Sequence, residues 1–195
     1  MSDFHQNGII TTFHNFRTKQ LDHIERELEK FSEKRPMQLI LPSLFSELSG
    51  SALPDIVNKL KEVKYLKQIT IGLDNADEKQ FLYAKEFFSV LPQEVKILWH
   101  DGPRMKAVSN LLKESGLDKS FPGKGRNVWY CMGYVYGQKN CEAVALHDCD
   151  ILTYDREMLA RLFYPIANPA YNFYFCKGYY SRIADGKMNG RVGRL

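Results

Sequence analysis

Short apolar runs alternate with amphipathic segments along most of this chain, and that alternation restricts its fold more than any other feature of the sequence. Met37 to Leu41, Gln68 to Leu73, Val95 to Trp99 and Ala143 to Leu146 each read as a short buried strand. Helical patterns separate them: one marked by Ile56, Leu60 and Val63, then residues 79–90, 105–115 and 127–136. This rhythm predicts an α/β fold with a mostly parallel sheet covered by helices. Ahead of the first strand, Leu21, Ile24, Leu28 and Phe31 recur at steps of three and four, which predicts an N-terminal amphipathic helix over 15–34 that Arg35-Pro36 ends. The first strand is expected to break at Pro42 and open into a loop over 43–51. Tyr171 to Cys176 reads as one more strand, and Asp185 to Arg194 as a glycine-rich loop. The expected division is a tail and helix over 1–35 and an α/β domain over 36–195, truncated at its C-terminal end.

A chain of 195 residues with 44% hydrophobic and 13% aromatic side chains can bury one full core, so global disorder is excluded. Its formal charge of +4 suits anionic ligands but lacks the clustered basic stripe of a nucleic-acid binder. No run approaches the roughly 18 apolar residues that span a bilayer. Four cysteines without CxxC spacing, behind a Met-Ser-Asp start, read as reduced thiols of a cytoplasmic protein.

The strongest chemical signal is Asp148-Cys149-Asp150 at the end of the Ala143 to Leu146 strand. Extended backbone sends residues i and i+2 to one side, so both carboxylates can face one site, and such oxygen ligands hold Mg²⁺ or Mn²⁺ together with substrate phosphates. A phosphatase nucleophile is the rival reading; it normally has Thr or Val two residues after the second Asp, where this chain has Leu152, and sits on the first strand of its fold. Lys124, between Gly123 and Gly125, can approach a phosphate, although the spacing is not that of a Walker loop. Glu47, Asp74 and Asp77 follow the first two strands on the same sheet edge, where α/β folds bind ligands. Arg182, Lys187, Arg191 and Arg194 accompany three glycines at the end of the chain, a composition suited to an anionic acceptor. His100 and His147 end strands and could line the site. Singly, each signal also has a plain structural reading as a solvated strand end, a basic loop or a helix cap.

Taken together and in order, these segments resemble the GT-A fold nucleotide-sugar glycosyltransferases, specifically the glucosyl-3-phosphoglycerate synthases. The resemblance runs through Leu41-Pro42-Ser43-Leu44-Phe45-Ser46-Glu47, similar to the family's LPALNEE, then Asp74, Gly123-Lys124-Gly125 with Trp129, Asp148-Cys149-Asp150, Lys177-Gly178-Tyr179-Tyr180 and Asn189-Gly190-Arg191-Val192. It implies that Pro42, Leu44, Glu47 and Asp74 hold the uridine of UDP-glucose and that Lys124 contacts the diphosphate. Asp148 would sit by ribose and sugar, Asp150 would ligate Mg²⁺ or Mn²⁺, and Gly190 and Arg191 would bind a small anionic acceptor such as 3-phosphoglycerate. The implied activity is a metal-dependent, retaining hexosyl transfer in which Lys124, Asp148 and Asp150 are catalytic. Phe45, Ser46 and Gly193 depart from the family pattern, and no histidine follows Asp150, although the family completes its metal site with one. The alternative from another class is a non-catalytic nucleotide-binding or assembly module, a homodimer through the N-terminal helix. A nucleotidylyltransferase would want glycine and arginine after the first strand, where 43–51 holds only Gly50 and no arginine.

Overall fold

In a computed structural model of the chain, residues 10–13, 20–117, 122–178, 183–184 and 187–188 are described. The four apolar runs become β2 (Met37–Leu44), β3 (Leu66–Asp74), β4 (Glu94–Trp99) and β5 (Ala143–Leu146), all parallel, in the order β4-β3-β2-β5. β3 and β4 step outward on one side of β2, and the chain then returns to lay β5 on the other. The reversal between β2 and β5 makes a crevice at their carboxyl ends, the position at which open α/β sheets bind ligands.

Alternation along β2 assigns its residues to two layers. Leu39 and Leu41 face the main core, packed with Ile24 and Leu28 of α1 (Leu21–Ser32), Leu53, Ile56 and Leu60 of α2 (Ala52–Leu60), Ala84 and Phe88 of α3 (Glu78–Phe88) and Leu159 and Phe163 of α6 (Arg156–Ala167). Ile40 faces the other way and packs with Cys131 and Val135 of α5 (Lys124–Gln138). The helix α4 (Pro103–Glu114) buries none of its residues.

The layer under α5 is unusually polar. Gln68 donates from Nε2 to Gln38 Oε1 (3.1 Å), Thr70 Oγ1 (2.9 Å) and Gln138 Oε1 (3.0 Å). Nearer the crevice, Asn127 Nδ2 donates to the Gly72 carbonyl at 2.7 Å. Gly72 has to be glycine here: a Cβ would come within 1.8 Å of Asn127 Oδ1 and 2.6 Å of Cys131 Sγ. The missing side chain is what lets α5 settle onto the sheet.

Several elements differ from the sequence expectation. β2 does not break at Pro42, which stays paired with Gly72. Ile40 turns its carbonyl to the β5 side, where it accepts from the His147 N–H at 3.1 Å, so Pro42, two residues on, turns its nitrogen the same way. Pairing with β5 has already ended at Ile40, and the absent N–H breaks no ladder bond. After β2 the chain forms a short 3-10 helix, Phe45–Ser49. Lys124 is the first residue of α5, which starts three residues ahead of the helix expected over 127–136, and the helix α6 was not anticipated. The expected strand over 171–176 lies later, as β6 (Phe175–Gly178), parallel to β1 (Ile10–Phe13). Two further strands, β7 (Ile183–Ala184) and β8 (Lys187–Met188), form an antiparallel pair, β7 just ahead of the expected final loop and β8 inside it. Of the expected N-terminal helix, residues 15–19 lie outside the described residues, and α1 occupies the rest up to Ser32. Among the described residues no helix is long and apolar enough to cross a membrane.

Candidate functional site

The crevice is built around the first turn of α5. Gly123 caps that turn with φ of +142°, a backbone setting that side chains other than glycine rarely adopt. Two cations follow within three residues, and they reach opposite ends of the crevice. Lys124 Nζ lies 2.6 Å from Asp148 Oδ1 beyond β5, with side chains 57% and 46% exposed. Arg126 Nη2 lies 3.3 Å from Asp74 Oδ1 at the end of β3, with side chains only 22% and 7% exposed. Since β2 runs between β3 and β5, the two pairs are separated by two strand spacings, roughly 10 Å across the sheet.

Asp148 and Asp150 flank a residue that fixes them. Cys149 is buried in the main core, where burial pushes its thiol pKa up, while Asp148 is half-buried and Asp150 exposed. With Cys149 turned inward, Asp148 reaches Lys124 at the crevice and Asp150 is exposed in the turn that follows β5. His147, one residue earlier, is buried with neither ring nitrogen hydrogen-bonded and its ring centroid 5.4 Å from that of Tyr154. Burial holds its pKa down to about 4, so it is a neutral core residue. His100 is likewise buried, 5.5 Å from the Tyr130 ring, and burial lowers its pKa below the ordinary 6.5.

The remaining candidates divide between the crevice and its supports. Pro42 is buried and Leu44 exposed at the end of β2. Glu47 turns back on its own strand, Oε2 accepting from the Leu44 N–H at 3.0 Å, and so fixes the exit from β2. Asp77 is a helix cap: Oδ1 accepts from the Gln80 N–H at 2.8 Å at the start of α3. Asp101, which the sequence did not single out, accepts the Ala76 N–H at 3.0 Å and ties down the turn after Asp74. Arg126, which the sequence analysis does not single out, is the counter-ion of Asp74. Gly190 and Arg191 lie outside the described residues. Two surface grooves lie away from this edge, one along α1 and one of about 660 Å³ between α5 and β5 beside Trp129 and Tyr136.

Among the described residues no group of three or more His, Cys, Asp and Glu is placed to hold a metal ion. The oxygen donors just beyond the end of β5 are the carboxylates of Asp148 and Asp150, two residues apart. That suits a hard divalent cation which completes its shell with water and substrate phosphates.

A parallel sheet with helices on both faces makes the chain an α/β protein, and its fold is of the GT-A kind, as the match to a solved structure shows. The fold matches that of the glucosyl-3-phosphoglycerate synthase of Mycobacterium tuberculosis, solved in complex with Mn²⁺, uridine diphosphate and glucosyl-3-phosphoglycerate, with a TM-score of 0.53 over 80% of this chain and 47% of that one at 14% identity. In sequence, the chain is similar over its full length to the glucosyl-3-phosphoglycerate synthase of Persephonella marina, at 49% identity over 195 residues. It is 38% identical over 196 positions to the enzyme of that name from Methanococcoides burtonii. The chain spans about half the length of these curated relatives, 48% of each. No model of a protein family matches it.

Proposed function

We propose that the chain is the nucleotide-sugar-binding part of a glucosyl-3-phosphoglycerate synthase, which transfers glucose from a nucleoside diphosphate, UDP-glucose foremost, to 3-phosphoglycerate. The observation that carries this reading is the 49% identity over the whole chain to a synthase of that name. The crevice supports it, because it offers separate charged contacts for the two ends of a nucleoside diphosphate. Residues 36–195 form the donor-binding unit, preceded by the segment 1–35.

In this reading Pro42, Leu44, Glu47 and Asp74 receive the nucleoside. Lys124 contacts the diphosphate, which draws it away from Asp148, and Asp148 then faces ribose and sugar. Asp150 holds Mg²⁺ or Mn²⁺, and a bound ion of this kind supplies electrostatic stabilisation to the diphosphate as charge develops on it. Lys124 contributes to the same stabilisation from the protein side: breaking the bond between the anomeric carbon and the diphosphate oxygen leaves negative charge that a fixed ammonium meets. Gly190 and Arg191 are assigned to the carboxylate or phosphate of the acceptor, and the transfer is assigned as retaining. The four free cysteines fit a cytoplasmic setting.

The test is calorimetric titration of the chain with UDP-glucose in the presence and absence of Mn²⁺, beside Asp150→Ala. Metal-dependent binding that Asp150→Ala abolishes is expected. Equal binding by the variant removes the assigned metal role, and absence of any binding to the unaltered chain removes the donor reading for this half of the protein.

A further inference from the structure

The carboxylate of Asp74 is divided between two tasks. Its Oδ1 accepts from both Arg126 Nη2, at 3.3 Å, and the Asn75 N–H, at 3.2 Å. Its Oδ2 has no partner among the described residues, although the side chain is almost wholly buried. The guanidinium opposite is constrained too, with Nε buried and without a hydrogen-bond partner. A guanidinium stays charged, so this pair keeps one carboxylate oxygen anchored and presents the other to the crevice.

Resting on the donor reading above, we propose that Arg126 is a nucleoside-positioning residue: it clamps Oδ1 of Asp74 so that Oδ2 is held in place for an N–H or O–H of the donor's base or ribose. The Asp74–Arg126 pair is neutral overall and its free atom is an acceptor, which repels phosphate oxygens and receives donor groups. Phosphate is served instead by Lys124, whose exposed pair with Asp148 lies roughly 10 Å away across β2. The first turn of α5 thus handles the two ends of the ligand with different residues, and the contributions are separable by a ligand that has only one end.

The experiment titrates the unaltered chain, Arg126→Lys and Arg126→Gln with UDP and with inorganic pyrophosphate, each with Mn²⁺, and follows thermal melting of the three proteins. Arg126→Lys keeps the charge and loses the planar fork, so long-range attraction for phosphate is preserved while the clamp is not. UDP affinity is expected to fall about tenfold in Arg126→Lys and at least as far in Arg126→Gln, the scale of one hydrogen bond to a charged group. Pyrophosphate affinity is expected to stay within about twofold in Arg126→Lys. Unchanged UDP binding in Arg126→Lys overturns the proposal, and so does an equal loss for both ligands, which marks a general charge or folding effect. If Arg126→Gln melts below the titration temperature, Arg126→Lys alone decides. Failure of the donor reading shows separately, as an unaltered chain that binds UDP no better than pyrophosphate.

Discussion

The two ends of the crevice are built to opposite specifications. At the β3 end, Asp74 and Arg126 are largely withdrawn from water and tied to the backbone of Asn75. At the β5 end, Lys124 and Asp148 form a closer contact in the open, with about half of each side chain exposed. An exposed pair contributes roughly 0–1 kcal/mol, because solvent screens it and ordering two side chains costs entropy. A withdrawn pair is costly to break, because the surviving charge stays out of water. One end is therefore fixed before a ligand arrives, while the other exchanges partners cheaply.

The largest effect is expected from removing the frame that both ends share. Gly72→Val drives side-chain atoms into Asn127 and Cys131 and lifts α5, with a loss of about 3 kcal/mol in stability measured by urea denaturation, and donor binding is lost with it. If the variant keeps its stability, α5 is not seated through Gly72.

Separating the two pairs comes next. Asp74→Ala is expected to cost about 2 kcal/mol in stability, below the range for a fully buried pair because Arg126 retains some exposure. Lys124→Ala should leave stability within about 0.5 kcal/mol and weaken UDP binding more than about tenfold. Denaturation and calorimetry on the two variants check the contrast, and equal stability losses would erase it.

The smallest effect is a pH dependence. Burial lowers the folded-state pKa of His147 from the ordinary 6.5 to about 4, against a small opposing effect from Asp148. As pH falls below 6.5 the unfolded chain takes up a proton that the folded chain refuses, so stability is complete above that pH and lost on acidification toward 4. The loss from this residue is about 1 kcal/mol between pH 6.5 and 5.5, and His147→Gln should flatten the profile by that amount in thermal melts. His100 is shifted the same way on the β4 side, so a residual slope of equal sign is expected in that variant.

Much of this architecture was legible in the sequence. The parallel sheet followed from the alternation of short, mainly apolar strand runs with helical segments. The position of Asp148 and Asp150 just beyond β5 was legible from the apolar run that precedes them, and the buried Cys149 separates the half-buried Asp148 from the exposed Asp150. Other features depend on context that a local pattern does not carry. Pro42 remains in β2 only because the neighbouring strand has already ended. The helix α6 has Asp155 as its cap and a well-formed apolar stripe, but Pro165 interrupts the pattern near its end. The pairing of β1 with β6 joins segments more than 160 residues apart. Arg126 gained its place from the fold, since nothing in the local sequence connects it with Asp74, 52 positions earlier.

The glutamine-lined seat beneath α5 has a mechanical consequence. A helix resting on a greasy surface can slide by a fraction of a turn at little cost, whereas this one is pinned near both ends. Asn127 grips the Gly72 carbonyl, and Gln138 exchanges amide hydrogen bonds with Gln68. The pins are 11 residues apart on the helix, about 16 Å of rise, and four apart on the strand, about 13 Å. Two unequal rulers fastened at both ends admit a single axial setting, so the heights at which Lys124 and Arg126 project above the sheet edge are fixed to within the play of a hydrogen bond.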